Sequence, residues 1–280
     1  MNAQGARQLP GPDPSATPVT AVPASPSAPW REAGALLVAG LVAGAFGGLV
    51  GVGGNVILIV FLAGSGKLRQ HQAQATSLVA LVFTGLAGAT RYGLMGAIDL
   101  AAAAALALPA IITARPGARY AHTLPEWQLK RVFGGFLIAV SLLLLLKHHL
   151  PGLAQPFTGR IGLLILVATG ALTGFASGML GVGGGSLMVP AMVLLAGFGQ
   201  HVAQGTSLLA MVPAGAAAAR AHWRLGNVVK RLLPPLIPGV LLGAYLGGSL
   251  AAALDELALR ITFAGVLIWT GIRFLRARRP

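Results

Sequence analysis

The sequence is written twice. At a spacing of 130 residues, with no gap, Gly44, Gly48, Gly51, Val52, Gly53 and Gly54 return as Gly174, Gly178, Gly181, Val182, Gly183 and Gly184. The stretch His71-Gln72-Ala73-Gln74-Ala75-Thr76-Ser77-Leu78 returns as His201-Val202-Ala203-Gln204-Gly205-Thr206-Ser207-Leu208. Gly85, Gly96, Gly117, Phe133 and Gly135 have partners at Gly215, Gly226, Gly247, Phe263 and Gly265. A register held over that length is an internal duplication, so the fold must be built from two copies of one unit.

Each copy is too apolar to face water all round. Of the 280 residues 55% are hydrophobic and only 9% charged, with a mean hydropathy of +0.78; soluble domains carry about a quarter charged residues. Apolar runs long enough to cross about 30 Å of hydrocarbon as helices recur between residues 34 and 275. The short alternating segments of a transmembrane barrel are absent. The expectation is an all-α polytopic membrane protein. Duplication around paired glycine breaks in such a chain points to a transporter with its site between two pseudo-symmetric halves.

The net charge of +14 is scattered through short loops and the tail, where Lys and Arg hold loops on the cytoplasmic side. No nucleic-acid partner is expected from it. The expected partners are the lipid bilayer and a small anionic solute, with a homo-oligomer possible. The absence of cysteine excludes disulfides and thiolate metal sites. The acidic residues are Asp13, Glu32, Asp99, Glu126, Asp255 and Glu256, none of them mid-span. A metal, sodium or proton site built on buried carboxylates is therefore not expected, and neither is a cofactor.

Four apolar blocks are expected in each copy: 34–63, 72–94, 98–121 and 127–147, then 161–196, 203–223, 228–253 and 257–276. Residues 1–30, rich in Pro, Ala and Ser, read as an uncleaved disordered leader. The first repeat is 34–147, the linker 148–160, the second repeat 161–276 and the basic tail 277–280. Turns are expected at Gly64-Ser65-Gly66, Tyr92–Asp99, Pro125-Glu126 and Asp255-Glu256.

The opening block of each copy meets a glycine cluster after 34–50 or 161–180 and continues as a shorter piece, 55–63 or 186–196. Glycine costs a helix roughly 1 kcal/mol per residue, which favours a broken or re-entrant helix over one long tilted rod. Such backbone is tolerated at membrane depth only where it lines protein or a wet cavity. Loop charges test this. Eight simple crossings divide the basic residues 13 against 7, whereas re-entrant first and fifth blocks divide them 16 against 4 and make the halves inverted repeats. Both versions leave the two termini in the cytoplasm. Rows of glycine at four-residue spacing (Gly40, Gly44, Gly48; Gly170, Gly174, Gly178; Gly239, Gly243, Gly247) read as surfaces where helix backbones pack closely.

Chemistry concentrates at the breaks. Gly51-Val52-Gly53-Gly54-Asn55 and Gly181-Val182-Gly183-Gly184-Gly185-Ser186 each end one helix and begin another, presenting unpaired N–H groups and a positive dipole end to an anion. A packing kink without ligand is the competing reading. Neither copy is a nucleotide fingerprint, since no strand precedes it. Gln74, Thr76 and Ser77, with Gln204, Thr206 and Ser207, are uncharged donors in apolar helices. They suit an oxyanion, although hydroxyls also bond back to their own helix. His71 and His201 stand at helix ends as candidates for proton-linked gating, or as interfacial caps. Arg91 and Arg220 close the second block of each half and either draw anions inward or snorkel to the interface.

The duplicated motif resembles the TauE/SafE family of sulfite and organosulfonate exporters. The likeness covers residues 34–276. It rests on the glycine segment with its apolar run to Pro190, the His-x-x-x-x-Thr-Ser-Leu elements at 71–78 and 201–208, the Arg91–Gly96–Asp99 turn and Leu129-Lys-Arg-Val-Phe133. It implies a permease of the bacterial inner membrane that moves small sulfur oxyanions or organosulfonates, usually outward. Carried over by position, the substrate would meet Gly53, Gly54, Thr76, Ser77, Gly183, Gly184, Gly185, Thr206 and Ser207. The first copy departs at Asn55 and Val60, where the second has Gly185 and Pro190. No catalysis is expected. The rivals are an intramembrane serine hydrolase, with Ser177 in Ala176-Ser177-Gly178 and His201 or His222 as base, and a non-transporting membrane scaffold.

Overall fold

In a computed structural model of the chain, the described residues are 29–64, 68, 70–120, 126–147, 157, 159–180, 183–224 and 226–276. They form helices α1 (Pro29–Val50), α2 (Asn55–Gly64), α3 (Gln70–Leu94), α4 (Leu100–Tyr120) and α5 (Glu126–Leu146). The second copy repeats them as α6 (Gly159–Leu180), α7 (Gly185–Leu194), α8 (Gln200–Arg224), α9 (Leu233–Ala253) and α10 (Glu256–Leu275). The starts of α1, α2, α3 and α5 each recur 130 residues later, so the duplication read in the residues is a duplication of elements. Among the described residues no strand occurs, and seven helices are long and apolar enough to cross a membrane.

The residue patterns set most boundaries. Asp99 Oδ1 accepts the Ala102 N–H at 2.8 Å and caps α4, and Asp255 Oδ1 does the same for Ala258 at the head of α10. Gly96 and Gly226 occupy matched left-handed turns, φ 68° and 71°, that stop α3 and α8. Pro234 and Pro235 fall in the first turn of α9, where the missing N–H goes unused. Two expectations need adjusting. α3 continues through Tyr92 to Leu94, so the turn expected from Tyr92 begins three residues later. α1 starts at Pro29, taking in the last two residues of the expected leader. As expected, each opening block forms two helices, α1 ending at Val50 with α2 starting at Asn55, and α6 ending at Leu180 with α7 starting at Gly185. Residues 1–28, most of the linker, the turn at 65–66, and Gly181 and Val182 lie outside the described residues.

The four most extensive helix pairings all join one half to the other: α1 with α9, α4 with α6, α3 with α8, and α5 with α10. The glycine rows explain the first. A Cβ on Gly40 would stand 2.6 Å from the Leu236 carbonyl oxygen, and Gly44 and Gly48 meet the carbonyls of Val240 and Ala244 in the same way. Reciprocally, Gly239, Gly243 and Gly247 sit on the carbonyls of Leu37, Leu41 and Ala45. Six glycines thus interlock two backbones running in the same direction, a contact available only to residues without side chains. The α4–α6 pair is its copy with different chemistry. Gly170 and Gly174 lie on the carbonyls of Leu106 and Ala110. Thr113, which matches Gly243, donates its hydroxyl to Ala171 O at 2.7 Å.

At the centre, α3 and α8 cross in opposite chain directions. Gly88 and Gly85 face Leu208, Gly85 also faces Val212, and Gly215 faces Leu81 and Val82. Around them, Leu78, Leu81, Met188, Met192, Leu208 and Met211 form the buried middle of the molecule.

Candidate anion site at the paired helix breaks

Two glycine segments, far apart in sequence, touch at the centre of the fold. In the first, Gly51, Gly53 and Gly54 have φ of 73°, 91° and 69°, left-handed conformations that a side chain strongly disfavours. In the second, Gly183 has φ 87°. A Cβ on Gly183 would stand 3.1 Å from Val52 O, and one on Gly185 would run into Gly51 O and lie 2.7 Å from the Val52 Cα. The breaks are therefore in van der Waals contact, and Ser207 of α8 holds the first of them by donating its hydroxyl to Gly51 O at 2.8 Å.

Both short helices begin here. Gly184 O closes the first turn of α7 by accepting the N–H groups of Leu187 and Met188, each at 3.1 Å, and Gly54 O does so for Ile57 and Leu58 in α2. The preceding N–H groups have no intrahelical acceptor, and no side chain caps α7. Around this point lie polar side-chain atoms that are buried without a hydrogen-bond partner: Ser186 Oγ, Gln204 Nε2 and Thr173 Oγ1. Ser186 follows Gly185, the Gln204 side chain packs on Gly51, and Thr173 packs on Gly184. Leaving such a group unpaired costs about 1–3 kcal/mol. Each can donate to an acceptor, and donors with an N-terminal dipole are what an anion needs.

Among the described residues the carboxylates stand elsewhere. Asp99 and Asp255 cap helices, Glu256 pairs with Arg260 at 3.0 Å, and Glu32 lies in the first turn of α1. No metal-holding cluster of His, Cys, Asp or Glu occurs among the described residues. Beside the breaks, a cavity of about 20 Å³ is lined by Thr173, Ser177, Gly184, Leu81, Met188 and Met211. That is room for about one water molecule.

The structure brings together Gly53, Gly54, Asn55, Gly183, Gly184, Gly185, Ser186, Gln204 and Ser207. It assigns other work to the remaining candidates. Thr206 Oγ1 accepts the Asp99 N–H at 3.0 Å, and at the matched position Thr76 Oγ1 accepts the Val229 N–H at 3.2 Å. Each threonine thus holds the turn ahead of the other half's fourth helix. Replacing Thr206 by Val should lower stability by about 1–2 kcal/mol, the cost of an orphaned N–H. A thermal-unfolding series would register that loss, with anion affinity unchanged. Ser77 bonds back to Gln74 O at 2.9 Å, within its own helix. Gln74 is half-buried.

The gating candidates lie away from the breaks. His201 Nε2 is 3.1 Å from Ala251 O, Arg91 Nε donates to Ser249 Oγ at 2.9 Å, and Arg220 is exposed. The side chain of His71 lies outside the described residues. At the rim, Lys147 donates to Val193 O at 2.6 Å. Ser177 lines the cavity, but no histidine lines it with Ser177.

Two contributors escape a reading by matched motifs. Tyr92, fully buried, donates its hydroxyl to Gln204 Oε1 at 2.7 Å and turns the amide so that Nε2 is left over. Its counterpart in the second copy is His222, so symmetry gives it no signal. Thr173 is matched by Ala43 and is equally invisible as a repeat. A polar residue within an apolar run was its only signature.

Residues 30–278 match the protein family described as sulfite exporter TauE/SafE. A Bacillus subtilis protein named "Probable membrane transporter protein YunE" is 30% identical over 243 residues, covering 79% of this chain and 88% of the relative. Another from the same organism, "Probable membrane transporter protein YjnA", is 25% identical over 253 residues, covering 86% and 98%. A "Probable membrane transporter protein" of Haemophilus influenzae is 31% identical over 121 residues, 40% of this chain and 46% of its own. No solved structure is significantly similar.

Proposed function

The chain belongs to the sulfite exporter TauE/SafE family and is a multi-pass membrane transporter, and on that premise we propose that it carries a small sulfur-containing anion through the paired helix breaks. The substrates are sulfite, organosulfonates or related oxyanions, and the direction is outward across the bacterial inner membrane. The observation that carries this reading is the meeting of the two glycine breaks beside Ser186, Gln204 and Thr173. These donors are buried, uncharged and unused, and among the described residues no carboxylate stands by to repel the solute. An anion there accepts from N–H groups at the head of α7, with the Ser186 hydroxyl and the Gln204 amide completing its shell.

The halves act as inverted repeats with both termini in the cytoplasm. Two observations support this. α3 and α8, which are repeats of each other, contact in opposite chain directions. Re-entrant α1–α2 and α6–α7 units also leave 16 of the 20 basic residues on one side. The breaks touch and the cavity beside them is water-sized, so a sulfite enters only when the halves part. Alternating access is then a rocking of one half against the other about α3 and α8. With no carboxylate at the breaks among the described residues, coupling by a titrating acid of the protein is disfavoured, and a weak-acid anion can carry its own proton.

Purified protein in liposomes tests the proposal. Sulfite or a short alkanesulfonate should enter well above the rate of empty vesicles, and chloride should compete poorly. Flux no greater than in empty vesicles, across a panel of such anions, rejects the substrate class.

A further inference from the structure

A groove of about 520 Å³ lies between α3 and α8, away from the breaks. Its floor is Val79, Val82 and Phe83 from α3, facing Ala216 and Ala219 of α8. Its rim is Arg220, Trp223 and Arg224, all exposed, on the last turns of α8. Among the described residues neither arginine has an acidic partner. Lys230 adds a third cation, its Nζ 5.0 Å from the centre of the Trp223 ring. One turn deeper than the floor, the same side of α3 carries Leu86 at 51% exposure. A leucine so exposed on a spanning helix faces hydrocarbon, so the groove opens to the bilayer.

We propose that this groove is a binding site for an anionic phospholipid, its phosphate held by Arg220 and Arg224 and one acyl chain laid along Val79, Val82 and Phe83. Charge complementarity argues for a negative headgroup. The α8 terminus places the arginines and Trp223 at interfacial depth, where basic and aromatic side chains meet headgroups. The apolar floor below argues for a tail, which a small sulfonate lacks. Arginine's planar fork matches two phosphate oxygens at once. The lipid would bridge α3 and α8, the two helices about which the halves meet.

Brominated lipids read the site through Trp223. The full chain is placed in bilayers of brominated phosphatidylglycerol or brominated phosphatidylcholine diluted in unlabelled lipid. The Trp223 signal is the difference between wild type and Trp223→Phe. Two arginines near a headgroup predict a preference for the anionic lipid on the order of tenfold. The double variant R220Q/R224Q, altered only at exposed positions, should cut it to about twofold or less. Equal quenching by both lipids in the wild type overturns the proposal, whatever the variant does. So does a preference that survives R220Q/R224Q. Relief of anionic-lipid quenching by millimolar ethanesulfonate would put substrate in the groove instead. Protection of Trp223 from both lipids would mean that a second copy covers it. Either result also overturns the proposal.

Discussion

Gly243→Leu should leave almost no folded protein. Its side chain would have to occupy the space of the Leu41 carbonyl and stand 2.8 Å from Ala45 N, both of them backbone atoms of a helix that cannot move aside alone. Overpacking a core commonly costs 1–3 kcal/mol where side chains can yield. Here nothing yields, and the six-glycine contact between α1 and α9 is forced apart, so the expected loss is ~3 kcal/mol or more. Size-exclusion of a fluorescent fusion in mild detergent would show it as a collapse of the monodisperse peak. The neighbour Leu242 is 56% exposed, and Leu242→Ala should retain most of that peak. A well-folded Gly243→Leu protein would mean that the glycine rows are not what holds the halves together.

Ser186→Ala should do the opposite to folding and damage transport. The hydroxyl is 1% exposed and has no partner, so removing it relieves a group whose burial costs about 1–3 kcal/mol. The protein should be as stable as wild type or slightly more so. A hydrogen bond to a charged group is worth about 1.5–3 kcal/mol, so losing one to a bound anion should raise KM roughly ten- to a hundredfold. Thermal unfolding paired with liposome flux gives both numbers on one preparation. Unchanged KM would remove Ser186 from the site. Loss of stability would show that the hydroxyl has a structural partner. Gln204→Leu is a harsher companion, because it also strands the Tyr92 hydroxyl.

The fold was legible because two periodicities coincide. Apolar spans demanded helices, the spacing of 130 residues demanded that they occur twice, and the density of glycine at 51–54 and 183–185 demanded a break in each copy. The glycine rows also told which faces pack, though not on which partner. That Gly44 meets Val240 and not a helix of its own half is a long-range fact that no local pattern carries. The polar Thr-Ser pairs show the limit most clearly. A buried hydroxyl in an apolar helix announces that it needs a partner, but sequence does not say whether the partner is solute or backbone. Thr76 and Thr206 found the backbone of the opposite half. Ser186 and Gln204 Nε2 found none. Thr173 and Tyr92 were lost because attention to matched positions discards what differs between copies.

The cross-pairing of helices bears on how the chain is made. α1 leaves the ribosome with Gly40, Gly44 and Gly48 bare, and the surface that covers them, on α9, is synthesised some two hundred residues later. Until then its close-packing face meets only lipid, and the first half is a membrane-inserted intermediate rather than a finished domain. A ribosome that stalls before α9 therefore releases a product that a quality-control protease can recognise by that uncovered stripe.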